Sequence, residues 1–223
     1  MQRLPFNATR FSSAEAKPEK EYYILFARIP LEETFPFLLL DEQKANAEKY
    51  LHLEDQLSYR YRHHLINTII STITKKNISE INYQFNAFGK PFITSLPFHF
   101  NISHTENSIA ICIGPKPMGI DIEMIRNTTL FEPVAVSHYH PNERTFLLAN
   151  DNDETFLSIW TRKEALLKAT GTGLDDELSK YDCTREYETA GALRYSLLTY
   201  HCEDTLISLA REQDGAPVNL CVV

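Results

Sequence analysis

Short apolar runs, alternating or continuous and separated by turn chemistry, dominate the chain. EYYILFARI (21–29) has the aromatic and branched residues of a strand and is stopped by Pro30. From Leu40 to Lys76 the period lengthens to the helical one, with Leu65, Ile66, Ile69, Ile70 and Ile73 three or four residues apart. ISEINYQF (78–85) reads as a further strand and NAFGKP (86–91) as a turn. HFNISH (99–104) puts Phe100 and Ile102 on one face, Asn101 and Ser103 on the other. TENS (105–108) turns the chain and IAICIG (109–114) returns it, which predicts a β-hairpin. PKPM (115–118) is a stiff connector, and it suggests a division into halves at 1–116 and 117–223.

The second half mixes strand and helix in the same way. FEPVAVSHY (131–139) and PNERTFLLAN (141–150) read as short helices, the latter with proline at its start. Asp151, Asn152 and Asp153 offer N-caps for a long helix from about Glu154 to Thr170, ended by Gly171 and Gly173. RYSLLTYHC (194–202), TLISLARE (205–212) and PVNLCVV (217–223) finish as strands, and residues 1–20 read as a loosely ordered lead-in.

One strand breaks its own pattern. In GIDIEMIR (119–126) Ile120 and Ile122 are interior residues, while Asp121 and Glu123 carry charges that interiors reject unless something balances them. Positions i and i+2 of a strand share a face, so both carboxylates project together. An exposed edge strand with a polar face would explain them blandly. Glu164 and Lys168 in WTRKEALLKATGTGL (160–174) are four apart on one helix face, with Lys163 one step aside. A solvated Glu–Lys pair is the plain reading there. Taken together, Asp121, Glu123 and Glu164 make an all-oxygen set suited to a hard cation such as Mg²⁺. Lys163 and Lys168 beside it suit a substrate with more negative charge than one metal neutralises. His104, at the end of a strand after Ser103, is a candidate catalyst, though a single histidine there is more often a structural hydrogen-bonder, and Lys90 in FGKP reads as an ordinary turn lysine. His138 and His140 precede Pro141 in a loop, and His63 and His64 carry no metal reading either.

Bulk numbers narrow the partners. The chain has 223 residues, 43% hydrophobic and 23% charged, enough for one large domain or two small ones sharing an interface. A net charge of −8 argues against an extended nucleic-acid surface, so a phosphate ligand must meet a local cationic pocket. Cys112, Cys183, Cys202 and Cys221 form no C-x-x-C pair, which fits reduced thiols and no zinc. The polar N-terminus has no apolar signal core and no stretch is long enough to span a membrane. A soluble cytoplasmic protein is the expectation.

FGKP (88–91), FNISH (100–104), GIDIE (119–123) and WTRKEALLKATGTGL (160–174) together resemble, in order and spacing, the 4′-phosphopantetheinyl transferases of the long, single-chain class, over roughly residues 20–223. The resemblance implies an α/β (α+β) fold, a pseudo-twofold pair of similar α/β subdomains with coenzyme A in the cleft between them. It implies transfer of phosphopantetheine from coenzyme A to a serine of an apo acyl carrier protein or a peptidyl or polyketide carrier domain. Carried over by motif, Asp121, Glu123 and Glu164 hold Mg²⁺. Lys168 neutralises the pyrophosphate and the leaving group, and Glu164, or a water it orients, accepts the serine proton. His104 and Ser103 contact coenzyme A phosphates, and Lys90 lies along the adenosine end.

Members of this family bring cationic residues toward the 3′-phosphate from the helix before FGKP. Ungapped counting from Lys90 reaches Ser58 and Tyr59 instead, with Lys44, Arg60 and Arg62 as nearby substitutes. A monomer without nucleic-acid or membrane partners is expected, docking its carrier through an apolar patch at Phe131, Val134 and Val136.

Overall fold

In the computed structural model, residues 3–32, 35–127, 137–150, 152–173 and 178–223 are described. Two five-stranded sheets lie face to face, each backed by a helix. The first has the order β2-β12-β3-β7-β6, from β2 (Thr9–Arg10), β12 (Val218–Val222), β3 (Tyr22–Arg28), β7 (Ser108–Gly114) and β6 (His99–Thr105). The second has the order β1-β10-β11-β8, from β1 (Leu4–Pro5), β10 (Leu193–Cys202), β11 (Thr205–Glu212) and β8 (Met118–Met124), with β9 (Tyr187–Ala190) also on β10. β4 (Gln84–Phe85) and β5 (Pro91–Phe92) form a separate small hairpin. The fold is of the mixed α/β class.

Strand β3 shows why these runs are continuously apolar. Tyr22, Ile24 and Phe26 enter the core between the sheets, against Ile120 and Ile122 of β8 and Ile207 and Leu209 of β11. Tyr23, Leu25 and Ala27 point the other way, into a core with Leu65, Ile66, Ile69 and Ile70 of α2 (Leu53–Thr74). A strand buried on both faces has no polar side to show.

The run 40–76, expected as one helical stretch, is two helices, α1 (Asp41–Ala47) and α2, separated at 48–52. Asn67 ties them, its Nδ2 donating to Gln43 Oε1 at 2.8 Å and to Leu38 O at 2.8 Å. The strand expected over 78–85 is a 3₁₀ turn at Ile78–Glu80 followed by two-residue β4. Asn77 sets that turn by accepting from Ser79 N at 3.1 Å, local side-chain bonding that outcompetes a ladder. The lead-in 1–20 contributes β1 and β2, each pairing parallel with a strand far along the chain. The sheets therefore do not divide at 116: β1 joins the strands of the second half, and β12 those of the first.

In the second half α3 (Pro141–Ala149) and α4 (Asp153–Thr170) follow as expected, and His140 is the N-cap of α3, accepting from Asn142 N at 3.1 Å. Phe131, Val134 and Val136 lie outside the described residues. The four cysteines are buried free thiols. Among the described residues no helix is long and apolar enough to cross a membrane.

Candidate active site

Gly119 decides how closely α4 lies on β8. A Cβ there would fall 2.0 Å from Ala165 O and 2.4 Å from Ala169 N, so only a residue without a side chain lets the helix backbone rest on the strand. That contact carries Glu164 and Lys168 to the strand that bears Asp121 and Glu123. β6 meets β8 along its other side through side chains rather than a backbone ladder. Asn101 Oδ1 accepts the Ile120 N–H at 2.8 Å, and Ser103 Oγ donates to Asp121 Oδ1 at 2.8 Å.

Lys168 closes this junction into a triangle. Its Nζ lies 2.6 Å from Asp121 Oδ1 and 2.9 Å from Ser103 Oγ. Asp121 is 5% exposed, and its second oxygen, Oδ2, is buried with no donor facing it. Leaving a buried acceptor unpaired costs about 1–3 kcal/mol, more when it is charged, so Oδ2 marks a place for a cation. Glu123 is pushed up to about 7 by its burial and by the Asp121 carboxylate, with Arg126 and Lys168 opposing and Glu164 adding to the rise. Glu164 is also raised, by burial and then by Asp121, against the pull of Lys168. Three acids thus repel one another across this corner. Among the described residues no three His, Cys, Asp or Glu side chains converge at ligand distance in this conformation. Asp121 is turned to Lys168, and Glu123 Oε2 lies 3.4 Å from Arg126.

A cleft of about 290 Å³ opens here, lined by Phe88, Lys90, Asn101, Glu164, Lys168 and Gly173. The FGKP turn forms one wall by packing on the end of α4. Asn86 Nδ2 donates to Gly171 O at 3.0 Å, and a Cβ on Gly173 would meet the Phe88 ring at 2.8 Å.

At the far side of the junction Arg62 Nη1 donates to His104 Nε2 at 2.6 Å. Desolvation of the ring, then the positive charges of Arg62 and Lys168, hold His104 down, to about 4, while part of the residue stays open to solvent. His104 is therefore neutral near pH 7, in a field where Arg62 and Lys168 outweigh the one opposing carboxylate, Asp55. Of the cations left open by the sequence, geometry singles out Arg62. Lys44 pairs with Asp41 at 2.9 Å on exposed α1, and Arg60 stacks over Phe37 at 5.7 Å.

One lysine differs from the expectation, and another is already engaged by backbone. Lys163 is not brought to the cleft. Its ammonium is buried with Glu143, at 2.8 Å, and donates to Leu178 O and Tyr181 O, each at 2.8 Å. The helix turns position 163 away from 164 and 168 toward α3 and the 178–181 segment, where a capping-box glutamate waits for it. Lys90 lines the cleft, but its Nζ donates to Met118 O at 2.9 Å and to Lys168 O at 2.5 Å. Asn101 is the residue sequence reasoning passed over. Its signal was present, since the alternation of FNISH puts it on the face of Ser103.

A cleft lined by Glu164, Lys90 and Lys168, with the orphaned Asp121 oxygen and Glu123 beside it, can bind a polyanion with a metal and stabilise charge moving onto a leaving phosphate. Comparison with known proteins agrees. The family model of the 4′-phosphopantetheinyl transferase superfamily matches residues 117–221. The 4′-phosphopantetheinyl transferase Sfp of Bacillus subtilis (strain 168) is 31% identical over 153 residues, 67% of each chain. The 4′-phosphopantetheinyl transferase psf-1 of Bacillus pumilus is 30% identical over 172 residues, 75% of this chain and 72% of its own. The 4′-phosphopantetheinyl transferase AcpT of Escherichia coli (strain K12) is 34% identical over 127 residues, 55% of this chain and 60% of its own. The chain belongs to the 4′-phosphopantetheinyl transferase superfamily.

Proposed function

We propose that the protein transfers the 4′-phosphopantetheine group of coenzyme A to a serine hydroxyl of an apo acyl, peptidyl or polyketide carrier. The bond from serine Oγ to the β-phosphorus forms and the bridging P–O bond of the pyrophosphate breaks. Its electron pair leaves with adenosine 3′,5′-bisphosphate. Glu164, made more basic by its burial and then by Asp121, or a water it orients, takes the serine proton. Lys168 faces the pyrophosphate and its leaving oxygen, held in place through Ser103 and Asp121. Arg62 and His104 receive a coenzyme A phosphate, since an anion there offsets the Arg62 and Lys168 charges that add to desolvation in depressing the His104 pKa.

The donor set fits Mg²⁺. Asp121 Oδ2 lacks a donor, and the two glutamates nearest it are the acids that its charge disfavours. Asp121, Glu123 and Glu164 would hold the ion, which would supply charge neutralisation at the pyrophosphate oxygens. The reaction as drawn needs no nucleic acid or membrane, and a cytoplasmic site of action is consistent with it.

The observation that carries this reading is the Ser103–Asp121–Lys168 triangle with its unpaired oxygen, set at the junction of the two sheets. The direct test is intact-mass spectrometry of an apo-carrier incubated with coenzyme A and enzyme. A carrier gaining phosphopantetheine supports transfer. Release of phosphopantetheine to water would indicate a phosphohydrolase, and binding without reaction a non-catalytic module. Asp121→Ala should abolish turnover and leave the chain folded, because relief of the clash with Glu123 and Glu164 offsets the lost bonds from Lys168 and Ser103. Near-wild-type rates at limiting magnesium would sink the metal assignment.

A further inference from the structure

Lys90 is the cation of the FGKP turn whose ammonium serves no carboxylate. Among the described residues it forms no ion pair, and its two acceptors, Met118 O and Lys168 O, are neutral backbone carbonyls. They belong to the two elements that build the triangle. Met118 opens β8, three residues before Asp121, and Lys168 lies in the last turn of α4. Carbonyls in the last turn of a helix lack an intrahelical partner and sit at the negative end of its dipole. A cation there caps the helix and attracts its end. The same ammonium holds the start of β8, so one side chain from the first half fixes the strand and the helix end relative to each other.

We propose that Lys90 is a positioning residue: by clamping Met118 O and Lys168 O it sets the Lys168 ammonium against Asp121, and it does not itself touch coenzyme A. This rests on the transferase reading above and alters one residue's part in it. Two further facts point the same way. The turn that carries Lys90 is itself pinned to the helix end by the Asn86–Gly171 bond, so Lys90 starts from a fixed base. Burial also pulls its pKa down, to about 8, which is the mark of an ammonium enclosed among dipoles with little opposing charge.

The experiment compares Lys90→Met and Lys90→Arg with wild type in steady-state transfer to one apo-carrier. Met keeps the length of the stem and removes the donors; Arg restores donors that can span two carbonyls. The expectation for Lys90→Met is a kcat lowered by about tenfold or more, because small displacements of a reacting group are costly, with the KM for coenzyme A unchanged within about twofold. Lys90→Arg should recover part of the lost kcat. The preference for coenzyme A over 3′-dephospho-coenzyme A should be the same in all three proteins. A raised KM with unchanged kcat, or a collapse of that preference in Lys90→Met, would overturn the proposal and return Lys90 to the ligand. Should the variants fail to fold, ¹⁵N NMR of the lysine ammonium groups in the wild-type protein decides. A Lys90 signal that stays put when coenzyme A is added supports the clamp, and one that shifts as a direct contact would refutes it. Absence of transfer by the wild-type enzyme would count against the transferase reading instead, so the two failures are distinct.

Discussion

Replacing Lys163 by methionine separates the buried pair from the cleft. The side chains of Lys163 and Glu143 are both 0% exposed, and their closest approach is 2.8 Å. Methionine fills much of the volume but removes the ammonium, leaving the carbonyls of Leu178 and Tyr181 without their donor. Glu143 keeps two backbone donors, Cys183 N at 2.7 Å and His140 N at 2.7 Å, yet loses its counter-charge. Breaking a buried pair from one side costs about 3–5 kcal/mol, and the two surviving donors place this case toward the lower figure. A chain of 223 residues unfolds with an entropy of about 0.5 kcal/mol/K, so the midpoint should fall by about 6–10 °C. Glu143→Gln added to Lys163→Met should return a good part of that loss, because the amide keeps the helix cap and carries no charge. The assay is thermal or denaturant unfolding beside kcat and KM for coenzyme A, measured well below the transition. Catalytic constants should stay within about twofold of wild type. A variant that melts like wild type but shows a KM for coenzyme A raised about tenfold would refute the placement, since only a lysine facing the cleft behaves so.

Gly119→Ala should force α4 off β8, because the new methyl would meet helix backbone rather than a flexible side chain. We expect a stability loss of about 1–3 kcal/mol or more and turnover down about 100-fold, and a fully active alanine variant would disprove the close-contact argument. His104 predicts an acid-sensitive stability. The native ring titrates at about 4 while an unfolded histidine titrates near 6.5, so over that window the unfolded chain binds the extra proton and stability falls as pH falls. His104→Asn should flatten that stretch of the denaturation-versus-pH curve, and an identical curve would mean the ring is not held neutral by its neighbours.

The strands were legible wherever both faces are buried or where alternation is strict, as in β3, β7 and the β10–β11 hairpin, since burial wrote itself into the residue types. The break at 48–52 was not. It contains neither Gly nor Pro, and what folds α1 back is long-range, the Asn67–Gln43 bond and the cover of Leu38. The site divides in the same manner. Period two placed Asp121 and Glu123 on one face, and period 3.6 placed Glu164 and Lys168 on another. Lys163 could not be placed by period, because α4 is buried on several sides and both directions offered a partner. Only the fold shows that Glu143, in a different helix, is the one it meets. Lys90 acts on backbone carbonyls of β8 and α4, and no sequence pattern marks a carbonyl that needs a donor. Asn101 was legible only as a residue on the face of Ser103, not as the acceptor of the Ile120 N–H.

The exchange of the chain's ends between the sheets has a consequence for assembly. Val218 pairs with Tyr22 and Tyr200 with Leu4, so each sheet takes in a strand from the far side of the sequence. A fragment ending at the 115–118 connector would leave the flank of β3 bare, a row of backbone donors and acceptors beside an apolar face. Such a fragment should pair with whatever strand it meets, and refolding of the whole chain should be slow, since its defining contacts close the largest loops. The halves that look separable along the sequence are, in the folded chain, stitched together by each other's ends.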